Sequence, residues 1–240
     1  MSFLKVFNDN LELVSFPKSV DKEFTRQKIT LRDLETFLGH LKIIIPYFCE
    51  HPLTILESIE ELKENGLQSV LLALHQKTNS IQVWNGTIGE AIATSYLRAS
   101  TDYEIPVFKL RFAPNRKMAM HGDDLLGFKF NVDETPKELL VVEVKNYGAE
   151  PKKAVYNASD SLLKAQQGSI TLLEFIINIL RQSGNFNKAN QVKRFNDTYN
   201  YSYHTEYLAF VITEQSKWKD EHFDAVIDEI KPSLTINAFL

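Results

Sequence analysis

The spacing of apolar residues becomes regular at about residue 81. Ile81, Trp84, Ile88 and Ile92 recur at steps of three and four, which predicts a helix over residues 81–99. Short apolar runs bounded by polar residues then predict strands. These strands are expected at residues 105–112, 124–130, 139–145, 206–213 and 233–239. Further helices are expected at residues 158–181, with a possible break at Gly168, and at 186–198 and 220–230.

The first 80 residues show a different arrangement. A strand is predicted at 11–16, helices at 31–47 and 52–65, and a short buried strand at 70–75. No set of residues with recognisable chemistry occurs here. We therefore predict two parts, an N-terminal α+β extension at 1–80, which we expect to dock a partner, and a core at 81–240.

The order of elements in the core indicates its fold class. Three strands in succession favour an antiparallel meander, and the helix that precedes the next strand favours a parallel pair. The prediction is an α/β fold in which helices flank a mixed central sheet.

The strand at 139–145 places two charged side chains in an apolar setting. Side chains alternate along a strand, so Glu143 and Lys145 share a face while Val144 points away. Buried charges are costly unless they are paired or coordinated. Taken alone, Glu-x-Lys is a weak motif, and a structural Glu–Lys pair at the end of a strand is its plainer explanation.

Acidic residues also precede the strand at 124–130. Gly122 allows a sharp turn before Asp123 and Asp124, and Gly127 permits close backbone approach. An Asp-rich turn is common and needs no function. In an antiparallel meander, however, Asp124 would lie beside Glu143, and Mg²⁺ favours a few carboxylates with retained waters. The backbone carbonyl of Val144 is a further oxygen ligand.

Glu90 supplies a third acid. Helical spacing puts Gly86, Glu90, Ala93 and Leu97 on one mostly small face, which predicts that the helix closely approaches a neighbouring element. Stabilisation of an acid near a helix N-terminus by the helix dipole is the plain alternative. Together, Glu90, Asp124, Glu143 and Lys145 predict a catalytic site for metal-dependent phosphodiester hydrolysis, with Glu90, Asp124, Glu143 and Val144 as metal ligands.

Composition limits the classes of protein that fit this chain but does not indicate a function. The net charge is −4, which does not by itself indicate nucleic-acid binding, and Cys49 is the single cysteine, so no intrachain disulfide can form. The N-terminus lacks the layout of a signal peptide and no apolar run is long enough to span a bilayer, so we expect a cytoplasmic protein without membrane contact. Basic residues are concentrated at Lys109, Arg111, Arg116, Lys117, Lys129, Lys145, Lys152 and Lys153.

The motifs resemble a known group of enzymes. The Gly89-Glu90 pair, the segment His121-Gly122-Asp123-Asp124-Leu125-Leu126-Gly127-Phe128 and Glu143-Val144-Lys145 are similar to the PD-(D/E)XK nuclease superfamily. Within it they resemble the HamA family, the nuclease subunits of Hachiman antiphage defence systems. His-Gly-Asp-Asp stands in place of the Pro-Asp that gives the superfamily its name. By resemblance Asp124 is the metal ligand, with Asp123 as the alternative.

The resemblance implies a restriction-endonuclease-like core, Mg²⁺ as cofactor with Mn²⁺ as a substitute, and DNA as substrate. It also implies a partner, the superfamily 2 helicase HamB, which restrains the nuclease until it is activated. His121, Lys152 and Lys153 are candidates for DNA contacts. Two alternatives stay open: an inactive nuclease-like subunit that only binds a helicase, and a restriction or repair endonuclease that acts alone.

Overall fold

A computed structural model describes the central part of the chain and several strands outside it. Residues 85–112, 123–146, 150–167 and 170–213 are described with their side chains, as are residues 217 and 219. The backbone is also described at 11–15, 26–31, 81–84 and 234–239. The predicted helices at 52–65 and 220–230, the predicted strand at 70–75 and nearly all of the predicted helix at 31–47 lie outside the described residues.

The described strands form one mixed sheet of six. They are β1 (Leu11–Ser15), β2 (Arg26–Leu31), β3 (Leu125–Phe130), β4 (Pro136–Asn146), β5 (His204–Ile212) and β6 (Leu234–Phe239), in the spatial order β1-β2-β6-β5-β4-β3. The outer pairs β1–β2 and β3–β4 are antiparallel, and the three inner pairs are parallel. The expected mixed sheet is therefore confirmed.

Helices cover both faces of the central strands. They are α1 (Ile81–Ser100), α2 (Pro151–Gln167), α3 (Thr171–Gln182) and α4 (Phe186–Lys193), with short 3-10 helices at Lys109–Phe112 and Arg194–Asn196. Alternate residues of β4 divide between the two layers. Leu140, Val142 and Val144 belong to the core beneath α1, whereas Leu139 and Val141 belong to the core beneath α2, α3 and α4. Burial on both faces explains why β4 is apolar along most of its length.

Four predictions about elements need correction. The strand expected at 105–112 is wrong: only Glu104 bridges to Phe128, and the segment ends in the 3-10 helix that begins at Lys109. Pro106 lacks an N–H group, so it cannot donate to a ladder. The meander therefore has two strands rather than three.

The break expected near Gly168 is confirmed, because α2 ends at Gln167 and α3 begins at Thr171, but α2 begins earlier than expected, at Pro151, a residue type suited to the first helical turn. The helix expected at 186–198 ends at Lys193 and continues only as a 3-10 turn. β2 includes Leu31, where a helix was predicted to begin. Across the described residues, no helix combines the length and apolar character that a bilayer crossing requires.

Candidate active site

The register between β3 and β4 brings Asp124 to Glu143. Leu125 pairs with Val142, so Asp124, one residue earlier, comes level with Glu143 on the antiparallel partner. Asp124 is fixed there because its Oδ2 atom accepts a 2.7 Å hydrogen bond from the backbone N–H of Val144. The start of β3 thus meets the end of β4, as the sequence predicted.

Glu143 and Lys145 lie on the same face of β4 and are paired. The Lys145 Nζ group donates a hydrogen bond to Glu143 Oε1, and the two side chains are only 21% and 11% exposed. Ser161 of α2 provides a second hydrogen bond to the Glu143 side chain. Ser161 was not predicted as a site residue, because nothing in the sequence pattern distinguishes it from the other small residues of α2.

Glu90 approaches from the opposite layer, on α1. Gly89 makes this possible: a Cβ atom there would lie 3.2 Å from Val144 Cγ1 and 3.3 Å from Asn146 Cβ. Gly86, which the predicted small face also includes, does not take part in this contact: it is exposed, and no described residue lies within 4 Å of its Cβ position. The Oε2 atom of Glu90 is buried and has no hydrogen-bond partner among the described residues, although charges on Asp124, Glu143, Lys109 and Lys145 act on Glu90.

One of these two lysines, Lys109, was predicted from the sequence only to be part of a basic surface. It is 3% exposed, its Nζ group donates a 2.9 Å hydrogen bond to the Asp123 carbonyl oxygen, and it lies 3.8 Å from Asp124 Oδ1. The two-residue spacing along this segment could have revealed that Lys109 is buried. Lys109 follows Ile105 and Val107 at steps of two, and all three are buried.

The acids of the site hold their protons more tightly than ordinary carboxyl groups. Burial, and then the charge of Asp124, raises the pKa of Glu90 to about 8, against the opposing effect of Lys109. Burial and Asp124 likewise raise the pKa of Glu143 to about 7, although Lys145 and Ser161 lower it. Burial also raises the pKa of Asp124. The shifts share one cause, which is that three acids lie in a low-dielectric site with too little compensating positive charge.

The donor chemistry of this site fits a hard divalent cation. Glu90 offers a buried oxygen without a partner, and Mg²⁺ takes a few carboxylates while keeping several waters. The described residues nevertheless contain no ready-made group of three His, Cys, Asp or Glu ligands. One oxygen of Asp124 and one of Glu143 are instead engaged by Val144 and Lys145. A bound cation would therefore have to share or displace these contacts.

The candidate DNA contacts are exposed lysines of α2 or lie outside the described residues. Lys152 and Lys153 are exposed in the first turn of α2, and Lys153 pairs with Glu150 at 3.1 Å. His121 lies outside the described residues, so its prediction stays open. For Val144 the structure shows the N–H contact to Asp124, and the predicted role of its carbonyl as a ligand remains a prediction.

Comparison with known proteins provides the family. A family model described as HamA matches residues 3–238. The Hachiman protein HamA of Bacillus cereus is 30% identical over 125 residues, an alignment that covers 52% of this chain. The match spans 44% of the relative's length, less than half of that protein. Because the family model extends over nearly the whole chain, the protein belongs to the HamA family of Hachiman antiphage defence.

Proposed function

We propose that this protein is a metal-dependent DNA nuclease with a PD-(D/E)XK core and acts as the effector of an antiphage defence complex. The observation that carries the proposal is the contact between Asp124 and the Val144 N–H, which holds one acid beside the Glu143–Lys145 pair. An acid before one strand and a Glu-x-Lys pair at the end of its antiparallel neighbour form the core of the motif on which the resemblance depends.

Asp124 and Glu143 would hold Mg²⁺, with the Val144 carbonyl as a further ligand. The N–H and C=O groups of one residue in an extended strand face the same side, and the Val144 N–H faces Asp124. The carbonyl is therefore directed towards the same edge. Bound Mg²⁺ would polarise the substrate phosphate and lower the pKa of a bound water.

Lys145 contributes a positive charge that the chain itself holds in place. Its side chain is 21% exposed, which leaves room for a substrate phosphate to approach while Glu143 keeps the ammonium group oriented. A charge fixed in advance where negative charge develops on the phosphate is an effective form of transition-state stabilisation.

Glu90 would act on the water or provide a further ligand. Its pKa of about 8 means that it holds a proton near neutral pH when no cation is present. A cation close to its unpartnered Oε2 atom would favour loss of that proton. Glu90 could then orient a water or accept its proton, because a base with a pKa near the working pH is the most effective.

Binding and control of DNA require more than this chain's own charge. Its net charge of −4 opposes tight binding to phosphates, so the few contacts expected from His121, Lys152 and Lys153 would be weak alone. A helicase partner of the HamB type would supply most of the affinity and release the nuclease when activated. The family membership supports this part of the proposal.

Plasmid cleavage by the purified chain, alone and with a helicase of the HamB type, tests the proposal. We expect Mg²⁺-dependent cleavage in at least one preparation, and loss of at least about a thousandfold in Glu143→Gln and in Lys145→Ala. Asp160→Asn and Lys164→Ala are matched controls, since these residues form an exposed ion pair on α2. Cleavage that survives in the double variant Glu143→Gln/Lys145→Ala would refute the assignment.

The same experiment separates the alternatives. A nuclease-like subunit that only binds a helicase would show no cleavage in either preparation and no specific Mg²⁺ or Mn²⁺ site. A restriction or repair enzyme would cut specific sequences without the helicase. The described contacts favour the effector, because an inactive subunit gains nothing from an unpartnered buried carboxylate.

A further inference from the structure

Two arginines from different elements converge on one aromatic ring near the candidate site. The guanidinium carbon of Arg98, in the last turn of α1, lies 5.2 Å from the centroid of the Phe108 ring, and that of Arg111 lies 4.7 Å from it. The electron-rich face of an aromatic ring attracts a guanidinium group. Arginine keeps its charge at any ordinary pH, so the structure holds two permanent positive charges beside one ring.

This arginine pair is connected to the acid cluster through two segments of the chain. Phe108 directly precedes Lys109, whose ammonium group lies 3.8 Å from Asp124 Oδ1. Arg98 follows Glu90 by eight residues on α1, which is about 12 Å along the helix axis. DNA advances about 3.4 Å per nucleotide of each strand. A strand that runs from the acid cluster along α1 would therefore reach Arg98 roughly three to four nucleotides from the scissile phosphate.

Structural explanations account for only part of this arrangement. The helix dipole favours a basic residue in the last turn of α1, and a cation can simply cover a half-buried ring such as that of Phe108. Neither effect explains why two arginines share the ring, since like charges repel. Arg98 is exposed and forms no ion pair with any acid in the described part of the chain, so its charge is accessible to an anion.

We propose that Arg98, held beside Arg111 by the Phe108 ring, binds the DNA backbone roughly three to four nucleotides from the scissile phosphate. The planar guanidinium group can donate to two phosphate oxygens at once, which gives a strong and directional contact. Such a contact would align the strand before cleavage and offset part of the unfavourable net charge of −4. The proposal rests on the proposed function, because it takes DNA as the substrate.

DNA binding by the purified chain measures this contact. Fluorescence anisotropy of a labelled duplex is recorded in EDTA, which prevents metal-dependent cleavage, over a series of salt concentrations. We expect Arg98→Gln to bind about tenfold more weakly than the native chain at low salt. The slope of the logarithm of affinity against the logarithm of salt concentration should fall by about one, the change expected for one lost phosphate contact.

Arg181→Gln is the matched control. Arg181 is also an exposed arginine in the last turn of a helix, but that helix, α3, packs on the opposite face of the sheet. Both substitutions change the net charge by the same amount. Arg181→Gln should therefore bind DNA with the affinity and the salt dependence of the native chain.

Phe108→Leu tests the role of the ring, because it keeps an apolar side chain and removes the aromatic face. The loss of affinity caused by Arg98→Gln should be clearly smaller in the Phe108→Leu background than in the native chain. Losses of equal size in the two backgrounds would overturn the claim that the ring holds Arg98 in position.

The contact with DNA can fail independently of the nuclease assignment. An Arg98→Gln variant with native affinity and salt slope, or an equal loss in Arg181→Gln, would overturn the contact even if the native chain cleaves DNA. Absence of DNA binding by the native chain at low salt would overturn it too. A native chain that loses affinity through Arg98→Gln but does not cleave DNA in Mg²⁺ would instead support the contact and refute the nuclease.

Discussion

The carboxylate of Asp124 and the backbone N–H of Val144 are joined by a 2.7 Å hydrogen bond across the antiparallel pair β3–β4. The N–H that receives Asp124 lies between Glu143 and Lys145 in the chain, so this bond connects the two halves of the candidate site. Since β4 is buried on both faces, the position of Asp124 is tied to a strand that lies in the core.

Replacement of Glu90 by Gln should stabilise the protein. The pKa of Glu90 is raised from an ordinary value of 4.5 to about 8, so the folded state binds the carboxyl proton more tightly than the unfolded chain does. Stability therefore falls as the pH rises from 4.5 to about 8. Gln has no proton to lose, and its amide can donate to the neighbouring carboxylates. The gain at pH 8.5 should be on the order of 2 kcal/mol, with little gain at pH 4.5.

Chemical unfolding at the two pH values measures this effect. Glu150→Gln is the control, because that side chain is 59% exposed and its replacement should change stability little at either pH. A gain in Glu90→Gln that is independent of pH, or a loss at pH 8.5, would show that ionisation of Glu90 does not destabilise the folded state.

Addition of Mg²⁺ should raise the unfolding temperature more at pH 8.5 than at pH 6. Protons and the cation compete for the same acids, and the pKa values of Glu90 and Glu143 are raised to about 8 and about 7. Differential scanning fluorimetry with Mg²⁺ against EDTA measures the shift. The shift should vanish in Asp124→Asn, and an equal shift in that variant would place the cation elsewhere.

Two glycines of α1 should respond in opposite ways to Ala. At Gly86 a Cβ meets nothing within 4 Å, so Gly86→Ala should stabilise the helix by about 0.5–1 kcal/mol. At Gly89 the Cβ would press on Val144 and Asn146, so the helix must move away from β4 or the side chains must shift. Gly89→Ala should therefore be the less stable variant, and it should lose more cleavage activity because Glu90 moves with the helix.

Urea denaturation and plasmid cleavage on the two variants provide the comparison. Equal stability and equal activity would mean that the contact between α1 and β4 does not position Glu90.

The sequence predicted β3, β4 and their pairing because the relevant signals are local. An apolar run with Glu143 and Lys145 at a spacing of two predicts both the strand and the shared face. Acids placed directly before the preceding strand predict where Asp124 lies once the strands pair. These predictions depend only on alternation and antiparallel geometry.

The parts that were missed depend on the tertiary structure. Apolar residues alternate along the segment 105–112 as they would in a strand. Pro106 cannot donate to a ladder, however, and the Lys109 side chain contacts Asp123 and Asp124 in the candidate site. β2 has the mixed sequence Arg26-Gln-Lys-Ile-Thr-Leu31, which shows little alternation, and it joins the sheet by pairing with β1 and β6. Ser161 and the burial of Glu90 follow from how two helices pack on β4, and spacing along the chain does not encode that packing.

The central claim is that acids from three distant segments bind one divalent ion, and calorimetric titration with Mn²⁺ tests it most directly. We predict one site in the native chain, weakened at least about a hundredfold in Asp124→Asn and in Glu143→Gln and little changed in Asp123→Asn. Native chain that binds no Mn²⁺, or Asp124→Asn and Glu143→Gln variants that bind it as tightly as the native chain, would contradict the account.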